Sequence, residues 1–95
     1  MYASVIEFQF KPGTTEAAID HARSLRPKFE QIDGLSQVIS IDRGDDRATT
    51  IVIYDSEAQR DAAAPMAQEV LAGMAEFMAA PPDRDGFEIS LNEKF

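Results

Sequence analysis

Few residues in this chain are equipped for chemistry. It has no cysteine and a single histidine, His21. Neither a Cys-His nor a Ser-His-Asp set can be assembled from that inventory, and a zinc site lacks ligands. No glycine-rich phosphate loop is present. Three candidates are left. Glu7 lies in the middle of an alternating apolar and polar run, residues 2–10. A carboxylate on a central strand could act as a general base, although glutamate is rarely fully buried and is more often exposed or paired at an interface. Tyr54 ends a run of β-formers and can donate a hydrogen bond from inside an apolar pocket; its bland role is a core aromatic with its hydroxyl at a cavity edge. His21 stands at the border of a helical apolar stripe, where it could move protons near neutral pH or simply sit at the solvent edge.

Two other clusters carry less. Asp42, Asp45 and Asp46 surround Gly44 without the spacing of a calcium loop, which suits a solvated turn. Met66, Met74 and Met78 fall at helical spacing and suit core filling.

The elements that must position these residues are well marked. Ile6, Phe8 and Phe10 alternate with Val5, Glu7 and Gln9, which predicts a strand ended by Lys11-Pro12-Gly13. Alternation alone leaves open which of the two sets faces the helices. Thr14 or Thr15 can cap a helix whose stripe is Ala18, Ala22, Leu25, Phe29 and Ile32. Pro27 interrupts it; an interior proline costs about 3 kcal/mol, so a kink or break is expected near Arg26. Gly34 suits the left-handed position after the last turn.

Residues 35–59 then read as strand, hairpin turn, strand and helix start. Thr49, Ile51 and Ile53 share one face of the second strand, and Thr50, Val52 and Tyr54 the other. A strand apolar on both sides wants cover on both. Ser56 with Gln59 fits a capping box. Pro65 is expected to open a new helical segment with the stripe Met66, Val70, Met74 and Phe77, stopped by Pro81-Pro82. Residues 83–86 look like a loop, and Phe87, Ile89 and Leu91 alternate as a final strand. The order βαββαβ predicts a single α+β domain over residues 1–95. It would be ferredoxin-like, a four-stranded antiparallel sheet with both helices on one face. The other face is expected to carry Val38 with either Val52 and Tyr54 or Ile51 and Ile53, and to be covered by a second copy.

The formal charge of −8 argues against a nucleic-acid partner and against an anionic membrane surface. No run approaches the roughly 18 apolar residues of a membrane span, and the N-terminus lacks a basic start and an apolar signal core. A cytoplasmic protein is expected.

The chain resembles the dimeric α+β barrel superfamily, and within it the antibiotic-biosynthesis monooxygenase-like group. The resemblance rests on Phe8-Gln9-Phe10-Lys11-Pro12-Gly13, Asp33-Gly34-Leu35, and Ile51-Val52-Ile53-Tyr54-Asp55-Ser56-Glu57-Ala58. It implies a homodimer joined through sheet faces, with a ligand cavity between the sheet and the helices of each subunit. Tyr54 takes the place where several members carry a tryptophan. The helix histidine that binds iron in haem-degrading members has no counterpart around Ala64-Pro65-Met66, and Ile6 stands where those members use an asparagine. The family register turns Ile6, not Glu7, toward the cavity. No cofactor is therefore expected. The implied activity is cofactor-independent oxygenation of a small hydrophobic or aromatic molecule, in which a substrate anion supplies electrons to oxygen. Tyr54 would orient the substrate, and Glu7 or His21 would supply the base. The alternative is a non-catalytic dimeric module that binds an apolar ligand or serves as a structural partner.

Overall fold

The computed structural model describes residues 1–95. The chain forms β1 (Tyr2–Gln9), α1 (Thr15–Ser24), α2 (Arg26–Phe29), β2 (Leu35–Gly44), β3 (Arg47–Tyr54), α3 (Glu57–Ala62), α4 (Ala64–Gly73) and β4 (Asp83–Glu88), with a short 3₁₀ turn at Ala75–Phe77 before β4. The strands make one four-stranded antiparallel sheet in the order β2-β3-β1-β4. This is the ferredoxin-like arrangement that the element order predicts.

Local chemistry sets most of the boundaries. Proline at the second position of α2 separates it from α1, with Leu25 between them as the joint. Pro65 opens α4 in the same way. The Ser56 hydroxyl accepts the backbone N–H of Gln59 at 3.2 Å and starts α3. The β2–β3 hairpin turns on Asp45 and Asp46, both at positive φ (54° and 58°). Two consecutive positive φ values match the right-handed twist of the flanking strands, and aspartate tolerates that region better than most residues.

Pairing fixes the faces. Ser4, Ile6 and Phe8 point to the same side as Val52, Thr50 and Ala48, their partners on β3. That side carries the buried cluster of Ile6, Phe8, Phe10, Ala18, Ala48 and Met74. It is the helix face. The rings of Phe8 and Phe10 stack at 5.4 Å between centroids. Ala3, Val5, Glu7, Ile51 and Ile53 point to the opposite side.

Three expectations are corrected. The last strand covers Asp83–Glu88, not residues 87–91. Its register starts at Glu7↔Asp83 and ends at Tyr2↔Glu88. Beyond Glu88 the chain has run past the start of β1, and the one backbone N–H that finds a partner is that of Ile89, on the Met1 carbonyl. The alternation of Phe87, Ile89 and Leu91 therefore has no strand left to pair with.

The helix stripe expected to reach Pro81 ends at Gly73. Residues 77–79 are drawn to the end of β1 instead, where Lys11 N–H donates to the Phe77 carbonyl and Ala79 N–H to that of Gln9, both at 2.8 Å. Val38 lies on the helix face, paired with Val52, while Ile39 and Ile41 point outward.

Candidate functional site

Four residues of the core cluster, Ile6, Phe8, Phe10 and Met74, also face the unfilled part of the space between sheet and helices. That part is a cavity of about 120 Å³. Its floor is β1 and β3, its walls are α1, α2 and α4, and fifteen of its nineteen lining residues are hydrophobic. An engineered cavity of about 150 Å³ holds benzene, so this one is sized for a single ring. Val38 and Ser40 line it yet are exposed, which places its mouth over β2. Phe29 of α2 and Val70 of α4 both line it, and the Lys28–Glu69 ion pair, 2.6 Å, ties these two helices together.

The polar lining is sparse: Ser4, Ser40, Thr50 and Arg84, with the Tyr54 hydroxyl. Ser40, Thr50, Ile6 and Arg84 form one cross-strand row that runs from the mouth on β2 to the far edge on β4. Thr50 donates to Ser40 at 3.2 Å. Ser4 is fully buried, and its hydroxyl accepts from Nε of Arg60 at 2.9 Å. Arg60 also lies over the ring of Tyr2. Arg84 differs from both groups. Its Nε and Nη2 are closed to solvent and have no hydrogen-bond partner, and none of the chain's ion pairs includes it.

The three residues singled out from the sequence lie in different places. Tyr54 lines the cavity and is 2% exposed. Glu7 is exposed on the opposite face of the sheet, where it accepts from the Thr49 hydroxyl at 2.7 Å; Arg43 donates to the same hydroxyl at 3.0 Å. His21 packs its ring against Phe77, 5.7 Å between centroids, outside the cavity lining. Neither of the two proposed bases is thus among the lining residues. No group of His, Asp and Glu residues is placed to hold a metal ion.

Arg84 was not singled out from the sequence because residues 83–86 look like a loop there. A lone arginine between two aspartates, next to Gly86, resembles a solvated turn. Register with β1 would have found it: the residue opposite Ile6 must share the face of Ile6.

No family model matches the sequence, and no curated protein matches it. Solved structures do match its fold. A protein of unknown function from Nitrosomonas europaea superposes with a TM-score of 0.81 at 21% identity, covering 98% of this chain and 92% of that one. A monooxygenase of Streptomyces coelicolor in complex with the ligand nanaomycin D gives 0.80 at 14% identity, covering 98% and 90%. A protein from Bordetella bronchiseptica described as an antibiotic biosynthesis monooxygenase gives 0.78 at 19%, covering 95% and 97%. The chain thus has the fold of the antibiotic-biosynthesis monooxygenase-like proteins over nearly its whole length. At these identities the likeness is one of fold.

Proposed function

We propose that this protein belongs to the antibiotic-biosynthesis monooxygenase-like group and binds a small hydrophobic or aromatic molecule in the cavity between sheet and helices. Cofactor-independent oxygenation is the reaction this reading assigns to it. The observation that carries the proposal is the cavity itself: an apolar, ring-sized space with few polar groups, walled in part by the core residues Ile6, Phe8, Phe10 and Met74. Pockets of this makeup, apolar walls with a few placed polar groups, are the usual form of small-molecule sites. The Streptomyces coelicolor monooxygenase, solved with the ligand nanaomycin D, shares the fold. Tyr54 is the residue assigned to orient the substrate oxygen. The functional unit is a homodimer joined through the outer sheet faces.

One observation favours the second reading, a non-catalytic ligand-binding module: neither Glu7 nor His21 lines the cavity. Oxygen uptake measured across a panel of one-ring hydroquinones separates the two. Saturable uptake that needs the protein and no added cofactor supports oxygenation. Saturable binding without uptake assigns the module, and neither uptake nor binding overturns both.

A further inference from the structure

We propose that Arg84 makes the cavity a receptor for an oxyanion. The ligand is a ring-sized apolar body bearing one carboxylate or phenolate-type oxygen, held by the Arg84 guanidinium. This deepens the cavity reading above and rests on it.

Arg84 is half-buried, with two of its three guanidinium nitrogens closed to solvent. A guanidinium stays charged in proteins, and withdrawing that charge from water without a partner is unfavourable. More than nine in ten buried polar groups in native structures are hydrogen-bonded, so an orphan calls for a reason. Arg84 has two orphans, Nε and Nη2. They are neighbours on one edge of the guanidinium plane, the edge that grips a carboxylate with two parallel hydrogen bonds. Around them the lining offers apolar groups and hydroxyls but no carboxylate. The chain carries 17 acidic residues against 9 lysines and arginines, yet none of the former neutralises this one. The missing partner is anionic and comes from outside the chain.

The same geometry bears on the missing base. A cation in a water-poor site favours the ionised form of a bound phenol. With Arg84 selecting the anion, the ligand enters as phenolate, its proton left in bulk solvent before binding, and no side-chain base is needed.

The test uses the full chain and three probes in calorimetric titrations: toluene, benzoate, and 4-nitrophenol, whose colour reports its own ionisation. Toluene binding tests the cavity alone. Arg84→Leu is expected to weaken benzoate by about tenfold or more, the value of a hydrogen bond to a charged group, and to leave toluene unchanged. Arg84→Lys, which keeps the charge and loses the fork, should recover part of the benzoate affinity. On the wild type, bound 4-nitrophenol should ionise about one pH unit or more below the free compound, a tenfold preference for the anion.

If toluene binds but Arg84→Leu leaves benzoate unchanged, the oxyanion proposal fails and the cavity reading survives. If no probe binds, both fail. Should Arg84→Leu not fold, the wild-type 4-nitrophenol titration decides: ionisation at the free-solution pH overturns the proposal. An Arg84→Lys variant that splits the assembly while holding benzoate as before would show that a partner copy neutralises Arg84, and would overturn it as well.

Discussion

Tyr54 and Asp46 show how differently two single side chains can be used. None of the chain's side-chain hydrogen bonds uses the Tyr54 hydroxyl, although the residue is almost wholly buried. Removing that oxygen should therefore cost the fold less than the roughly 1 kcal/mol of one buried hydrogen bond. Tyr54→Phe is expected to keep the wild-type melting temperature and to change ligand affinity or turnover. A drop of several degrees with affinity fixed would make the hydroxyl structural. Asp46 is the reverse case. Its carboxylate accepts from the Thr15 hydroxyl at 2.7 Å and from the Gly13 N–H at 3.1 Å, tying the hairpin to the start of α1. The Thr15 hydrogen bond, then that of Gly13, holds its pKa below the ordinary carboxylate value. A lowered folded-state pKa stabilises the fold above the unfolded value and loses that contribution as pH falls through the folded one. Asp46→Asn keeps the turn, since asparagine also tolerates positive φ. Melting curves of the two proteins should differ at neutral pH and converge in acid below the carboxylate range. A gap independent of pH would exclude the charge as its source.

Among the elements, the turns and joints are where single residues decide most. Gly34 sits at φ +80° between α2 and β2, and a β-carbon there would run into the side chain of Gln59. Gly13 has a similar φ, +76°, with nothing near the added carbon. Both alanine variants lose about 1 kcal/mol to the left-handed backbone. Gly34→Ala should lose more, by whatever displacing Gln59 from the α3 cap costs, and chemical denaturation of the two variants measures the difference. Equal losses would mean that Gln59 moves freely. These joints were legible in the sequence because their chemistry is local: Pro27, Gly34, the Ser56 cap and Pro65 each act within a turn of chain. The last strand was not. Residues 83–88 contain four charged residues and a glycine, and they are a strand because β1 offers them a free edge. Only the completed sheet supplies that reason. Tyr54 could be read as a cavity residue because it ends a strongly patterned strand, while Arg84, on a strand that pairing alone defines, could not. The choice between the two faces of β1 was open for a related reason. Glu7 and Ile6 alternate equally well, and the helices decide.

For the whole molecule, the sheet has one face under helices and one without. Ile39, Ile41 and Phe87 are exposed there at 37%, 44% and 55%, around Val5 and Ile51. A soluble chain rarely leaves so large an apolar surface open, and closed two-fold pairing is the commonest way to cover one. A sheet-to-sheet interface of this kind should bury roughly 2,000 Å² or more and behave as obligate. The wild-type protein is therefore expected to sediment as a dimer at micromolar concentration. Two lysine substitutions separate the faces. Val52 is half-buried in the cavity lining; Val52→Lys puts a second cation on the side of Arg84 and should abolish cooperative unfolding. Ile41 is exposed in the single subunit, so Ile41→Lys leaves the subunit core alone and should break the dimer first. Sedimentation equilibrium with circular dichroism reads both. If the Ile41 variant stays dimeric, pairing uses another surface. If the wild type is a well-folded monomer, the outer face needs no cover, and the proposal that this chain works as a paired barrel fails with it.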